Sequence, residues 1–230
     1  VSTEIPRTLK VLWDPARREP RPGLSLERIV ASAMDIADRD GLAALSMARL
    51  AQELGSAPMS LYRHVANKDE LLVFMQDAAP GPPPAVPPDW REGLTVWARA
   101  LRDVYYAHPW ILQVTAGRPP LEPGQLAWLD RGLEALAGTP LTVPQRLEAV
   151  MTLLHYVRGE AHVTAILLGG AQEPFEGYDE FLAAHVRPER FPALAAAVAD
   201  GAFAPEADDG ASFERGLAVV LDGLQLSMNS

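Results

Sequence analysis

The sequence predicts an all-α protein, with a three-helix head built around a helix-turn-helix and a larger helical body. Apolar residues recur at i, i+3 and i+4 through residues 26–79 and 89–228, without the alternation a half-buried strand needs. A proline run at 80–88, PGPPPAVPP, separates the two regions and reads as a stiff, extended connector. Close-set turn signals at Gly41, Gly55 and Asn67 divide the first region into short helices.

In chain order, residues 1–24 carry Pro6, Pro15, Pro20 and Pro22, which predict a flexible, disordered N-terminal arm. Ser25 caps a helix whose apolar face is Leu26, Ile29, Val30, Ala33, Ile36 and Ala37, closed at Gly41. Ser46 caps a second helix, with Leu50, Ala51 and Leu54 on one face and Gly55 as its stop. Ser56 offers another cap, and Pro58 falls in the first turn, where its missing N–H costs little. That helix lasts only about two turns, because Asn67 and Glu70 form an N-x-x-E start, resembling a capping box, for a helix running to Ala79. Two helices joined by a tight turn, the second one short, make a helix-turn-helix.

The short helix displays Ala57, Met59, Ser60, Tyr62, Arg63 and His64 around the apolar anchors Leu61 and Val65. Hydroxyl, phenol, guanidinium and imidazole groups suit phosphate oxygens and base edges. A polar octapeptide also fits a plain solvated helix face; the flanking turns favour the DNA-reading alternative.

Residues 45–72, with their L-A-x-x-L-G turn, S-L-Y-R-H-V helix and N-K-D-E-L-L opening, resemble the DNA-binding domain of the tetracycline-repressor (TetR) family. The resemblance implies a backbone grip by Tyr62, His64 and Lys68, with Pro58, Met59 and Ser60 facing the major groove. It places Ser46 and Met47 near the backbone or groove edge. Ala48 stands where the tetracycline repressor carries a base-reading arginine, which implies a different operator. On this reading the arm has an alternative role, reaching the minor groove.

The formal charge is −10, but it is uneven. Residues 1–76 hold ten basic and ten acidic side chains, whereas residues 77–230 hold ten and twenty. Only the N-terminal third escapes repulsion from a polyanion, as a DNA-reading head on an acidic body should. There is no cysteine, hence no disulfide framework or thiolate metal site. No apolar run or signal-peptide core suggests a membrane or secretory route, so a cytoplasmic protein is expected. P-loop, G-x-S-x-G and H-E-x-x-H motifs are missing, as are the Glu-x-x-His pairs of di-iron bundles, so no enzyme is expected.

In the body, Asp89 opens a helix through Trp97 and Tyr105 that Pro109 ends, and a short segment covers 110–116. Helices follow over 123–138 and, after Thr142 and Pro144, to Leu168; 169–177 is a glycine-rich loop. Shorter helices are expected at 178–187 and 189–200, and a final one at 209–228. The helices at 143–168 (Leu147, Val150, Met151, Leu154, Val157, Ala161, Ala165, Leu168) and 211–228 (Phe213, Leu217, Val220, Leu221, Leu224, Met228) are apolar over more than one face. The second face needs a partner, either a four-helix interface in a homodimer or a large monomeric core. One helix-turn-helix reads only a half-site, which favours the dimer.

The body resembles the C-terminal domain of the same family through D-W-R at 89–91, A-H-P-W at 107–110, G-R-P-P at 117–120 and H-Y-V-x-G at 155–159. There a histidine just before Arg-Pro binds the drug's magnesium; here that neighbourhood is Val114, while His155 matches a second drug-site histidine. The resemblance therefore implies an organic effector held without metal or other cofactor. Trp97, Tyr105, Trp110, Trp128, His155, Arg158 and His162 are the candidate ligand contacts, expected to face the bundle interior. His155 and His162 are seven apart and share a face. Core packing is the alternative role for each aromatic, and a satisfied imidazole for each histidine. These features describe a ligand-released repressor acting on double-stranded DNA; the rival is a helical interaction module that does not bind DNA.

Overall fold

The computed structural model describes residues 5–14, 23–114, 120–169, 177–203 and 210–229. All regular structure among them is helical. The first helix contradicts the expected disordered arm: Arg7–Leu12 (α1) is helical, with Leu9 and Val11 buried. Pro6 sits at its N-cap, where a proline is harmless. Three apolar residues in six give α1 a face to bury against the head. Pro15, Pro20 and Pro22 lie outside the described residues.

Leu26–Asp40 (α2) is capped by Ser25 Oγ, which accepts from Arg28 N at 3.3 Å. Its Ile29, Ala33 and Ile36 are fully buried, each isoleucine stabilising the head by about 1.5–3 kcal/mol. A 3-10 turn, Leu42–Ala44, leads to Met47–Glu53 (α3), capped by Ser46 Oγ on Arg49 N at 3.2 Å. Gly55 then takes a φ of 60°, the left-handed conformation that turns the chain. Ser56 is not the expected cap: its hydroxyl donates back to Leu54 O at 3.3 Å, and Ala57 occupies the cap position with no side-chain bond. Pro58–Leu61 (α4) is consequently one turn instead of two, anchored by the fully buried Leu61 and Val65.

Asn67 caps Lys68–Ala78 (α5), its Oδ1 accepting from Glu70 N at 2.8 Å. The reciprocal half of a capping box is absent, because the Glu70 carboxylate accepts from Ala66 N, one residue before the cap. α5 packs on α1, α2 and a later helix, Pro123–Ala135, and residues 80–89 after it carry no helix.

In the body, Trp90–Ala107 (α6) is the central rod, capped by Asp89 and lying against Pro123–Ala135 (α7) and Val143–Gly169 (α8). Gly132 permits the closest approach: a Cβ there would stand 2.8 Å from Val150 Cγ1 and 3.5 Å from Trp97. The segment expected over 110–116 is a 3-10 turn, Pro109–Gln113. Tyr178–His185 (α9) and Pro192–Ala199 (α10) pack chiefly on each other, and Ala211–Met228 (α11) lies along α8. Pro192 at the first helical position starts α10 later than expected. The glycine-rich loop falls almost wholly outside the described residues, as do most of the G-R-P-P motif, the side chain of Leu168 and position 209.

Both broad helices bury one face and expose the other. α8 buries Ala149, Val150, Leu153, Val157 and Ala161, while Val163, on another side of the helix, is 56 % exposed. α11 buries Phe213, Leu217 and Leu221 with Val219 71 % exposed.

Candidate nucleic-acid interface and sensing body

The tip of α4 projects from the head. Met59 is 73 % and Tyr62 45 % exposed, Pro58 is exposed, and Ser60 and His64 are partly so. An exposed methionine beside a tyrosine and a proline is an unfavourable solvent surface but a good thymine-methyl and sugar contact. The turn continues past α4, His64 N and Val65 N both donating to Leu61 O. Ser46 is exposed at the start of α3, its oxygen serving the cap, and Met47 is partly buried against the core.

Lys68 has a role the sequence did not show. Its Nζ donates to Leu45 O at 2.7 Å and to Leu42 O at 3.5 Å, closing the 3-10 turn ahead of α3. An ammonium has three donors, and these two carbonyls take two of them. Between α2 and α3, Arg39 bonds Asp40 at 3.0 Å and Glu53 at 3.3 Å, and Arg49 also pairs with Asp40. The hydrogen bond from Arg39 holds the Asp40 carboxyl below the usual carboxylate range.

In the body, the candidate ligand residues separate into two groups. Trp97 and Trp128 meet edge to face at 6.2 Å, Trp97 Nε1 donating to Trp128 O at 2.9 Å and Trp128 Nε1 to Gly81 O at 3.0 Å. Tyr105 is buried next to Arg158; burial pushes its phenol up, and Arg158 opposes that. Trp110 is 1 % exposed. Val114, partly buried, contributes its carbonyl, which accepts from Gln76 Nε2 at 3.1 Å. His155 and His162 do not face the interior as expected: both are exposed on α8, on its outward side near Val163. The buried stripe of α8 is 149, 150, 153, 157 and 161, which turns positions 155 and 162 away from the interior. A cleft of about 270 Å³ opens elsewhere, lined by Trp90, Ala135, Thr139, Pro140 and Met228 among others, and holds none of the expected ligand residues.

Residues missed by sequence reasoning form the joint between head and body. Asp38 of α2 accepts from Trp110 Nε1 at 2.6 Å and lies 2.8 and 3.0 Å from His108 Nδ1. A carboxylate only accepts, so His108 Nδ1 carries the proton of that bond. Asp77 of α5 accepts from Gly124 N at 2.6 Å in the first turn of α7. Burial raises the Asp77 carboxyl, and the backbone bonds of Gly124 and Gln125 oppose it. Glu70 carried a hint in its capping spacing; a carboxylate ending an amphipathic helix, such as Asp38, carries none.

A projecting recognition turn on a three-helix head, carried by a helical body, defines a helix-turn-helix transcriptional regulator. Residues 29–74 match the family model described as bacterial regulatory proteins, tetR family, and residues 83–228 match the tetracyclin repressor-like C-terminal domain. The chain therefore belongs to the TetR family. It is 37 % identical to the HTH-type transcriptional repressor DrrR1 of Streptomyces coeruleorubidus, over 98 % of this chain and 87 % of that one. It is 31 % identical to the class A tetracycline repressor of transposon 1721 from Escherichia coli, over 85 % and 88 % of the two chains. Among solved structures, the TetR family protein ActR of Streptomyces coelicolor, in complex with actinorhodin, superposes with a TM-score of 0.77 at 29 % identity, covering 90 % of this chain and 100 % of that one.

Proposed function

We propose that this chain is a repressor that binds a pseudo-palindromic operator as a homodimer and leaves it when an organic molecule enters the body. The head is residues 25–79, the connector 80–88 and the body 89–230. The observation that carries the reading is the exposed Pro58, Met59 and Tyr62 tip on a turn anchored by buried Leu61 and Val65. Pro58, Met59 and Ser60 then face the major groove, Tyr62, His64 and Lys68 grip the phosphate backbone, and Ser46 and Met47 approach the backbone or the groove edge. Operator binding places the protein in the cytoplasm with the chromosome.

The dimer covers the outward sides of α8 and α11, where Val163, Val219 and Leu226 are exposed, which sets two heads about 34–36 Å apart, one DNA turn. His155 and His162 lie on that face and contact the partner or a ligand reaching the interface. Trp97, Tyr105, Trp110, Val114, Trp128 and Arg158 form the interior contacts. ActR, bound to actinorhodin, is a relative with an organic ligand in complex; by that likeness the effector here is an organic molecule bound without metal. It need favour the non-binding head spacing by only about 1–3 kcal/mol to relieve repression.

The test is selection of duplexes from a random library by the purified protein, followed by fluorescence anisotropy. Tyr62→Phe and Lys68→Ala should both weaken binding to the selected operator, the lysine change across all sequences. No enriched duplex, or variants that bind like wild type, would favour the interaction-module reading instead.

A further inference from the structure

α1 touches both the recognition turn and the body, and the function above assigns it nothing. At one end, Arg7 Nη1 donates to both Glu70 oxygens, at 2.7 and 2.5 Å, and Arg7 Nη2 to His64 O at 3.3 Å. Glu70 is buried, its side chain 7 % exposed, and its second oxygen also accepts from Ala66 N at 2.5 Å. Arg7 and Glu70 thus clamp 64–66, the backbone that follows the α4 tip. In the middle, Leu9 and Val11 are buried, so the helix is packed down along its length. At the other end, Trp13 Nε1 donates to Leu121 O at 3.0 Å. Leu121 N donates to the buried Glu122 at 2.9 Å, two residues before Pro123 opens α7.

We propose that α1 is a second coupling rod between body and recognition turn, parallel to α5, with Arg7 and Trp13 as its positioning residues. The route is continuous. α7 carries Trp128, which packs on Trp97 in the body interior, and α7 begins at the segment held by Trp13. A shift of α7 therefore displaces α1 lengthwise, and Arg7 passes that displacement to His64 O and Glu70. α5 receives the same shift through Asp77 on Gly124. Two attachments spaced along the head resist tilting better than one, so α1 holds the tip at a defined angle to the body. The functional consequence rests on the DNA-binding reading above; the mechanical claim does not.

The experiment uses the full chain and the variants Arg7→Gln, Trp13→Phe and the double change. Trp13 is 55 % exposed, so Trp13→Phe removes one N–H donor and leaves the fold intact. In hydrogen-exchange mass spectrometry of the free protein, Trp13→Phe should speed exchange of amides 64–66, which Trp13 does not touch. The change should be about two- to tenfold, the scale of one lost hydrogen bond. Arg7→Gln should likewise speed exchange over 120–126. In anisotropy with the selected operator, each single change should weaken binding, and the double change should be no weaker than the worse single. Independent sites would instead multiply their effects.

Unchanged exchange at 64–66 in Trp13→Phe, or multiplicative losses, would reduce α1 to a local packing element and overturn the proposal. A wild-type protein that selects no duplex would remove the DNA reading, while the exchange measurement would still judge the rod.

Discussion

Replacing Asp38 with alanine should loosen the joint between head and body by about 2–3 kcal/mol. The magnitude follows from what the carboxylate holds. Trp110 is 1 % exposed, so losing its 2.6 Å acceptor leaves an indole N–H with little access to water. A stranded buried donor costs about 1–3 kcal/mol. The His108 bond contributes less, because that pair keeps 20 % and 29 % of its side-chain surface in solvent. For a chain of this length each kcal/mol moves the midpoint by about 2–4 °C, so Asp38→Ala should melt roughly 4–12 °C lower. Asp38→Asn retains one acceptor oxygen for Trp110 but loses the charge facing His108, and should fall between alanine and wild type. Differential scanning calorimetry on the three proteins gives the stability, and anisotropy with the selected operator gives the consequence. A loosened head samples spacings other than one DNA turn, so operator affinity should drop in the same order. Equal melting of all three proteins would show that the joint is not held by this carboxylate and would refute the argument.

Three further outcomes probe other parts of the molecule. Gly216→Ala drives a methyl against Tyr156 Oη and to 2.8 Å from its ring; that ring stacks on Phe213 at 5.6 Å and its hydroxyl donates to Phe213 O at 2.7 Å. Overpacking should exceed the helix-propensity gain, for a net loss of about 1–2 kcal/mol in urea unfolding; an unchanged midpoint would mean that α8 and α11 separate freely. Val219→Asp puts a carboxylate on the outward face of α11 and should yield a monomer by analytical ultracentrifugation, whereas a persistent dimer would place the interface elsewhere. Asp77 has its carboxyl raised by burial. Its stabilising contribution is therefore full below the unfolded value of about 4 and is lost as pH rises through the higher folded value. Asp77→Asn should melt like wild type at pH 3.5 and higher than wild type at pH 7; the same difference at both pH values would contradict this assignment.

The caps of the head were legible because they are local. Ser25, Ser46 and Asn67 each serve an N–H three residues on, and the structure shows each bond. Ser56 failed as a cap for a physical reason: the chain turns at Gly55, and Pro58 sets the helix start one residue later than a serine cap at 56 requires. α1 was hidden by the opposite error, prolines flanking a six-residue segment whose apolar face acquires meaning only against α5.

Of the ligand candidates, aromatic residues at helical spacing were placed inward as expected, while His155 and His162 turned outward. Periodicity says that two positions share a face; it does not say which face the neighbouring helices cover. By itself the sequence determined the helical class, the recognition turn with its buried anchors and the family, since these depend on spacings within a few residues. Only the tertiary structure decided the joint of Asp38 with His108 and Trp110, the clamp of Arg7 on Glu70, and the second role of Lys68. Those pairs join groups tens of residues apart, and a side chain's choice among distant partners depends on how whole helices pack, which no local pattern encodes.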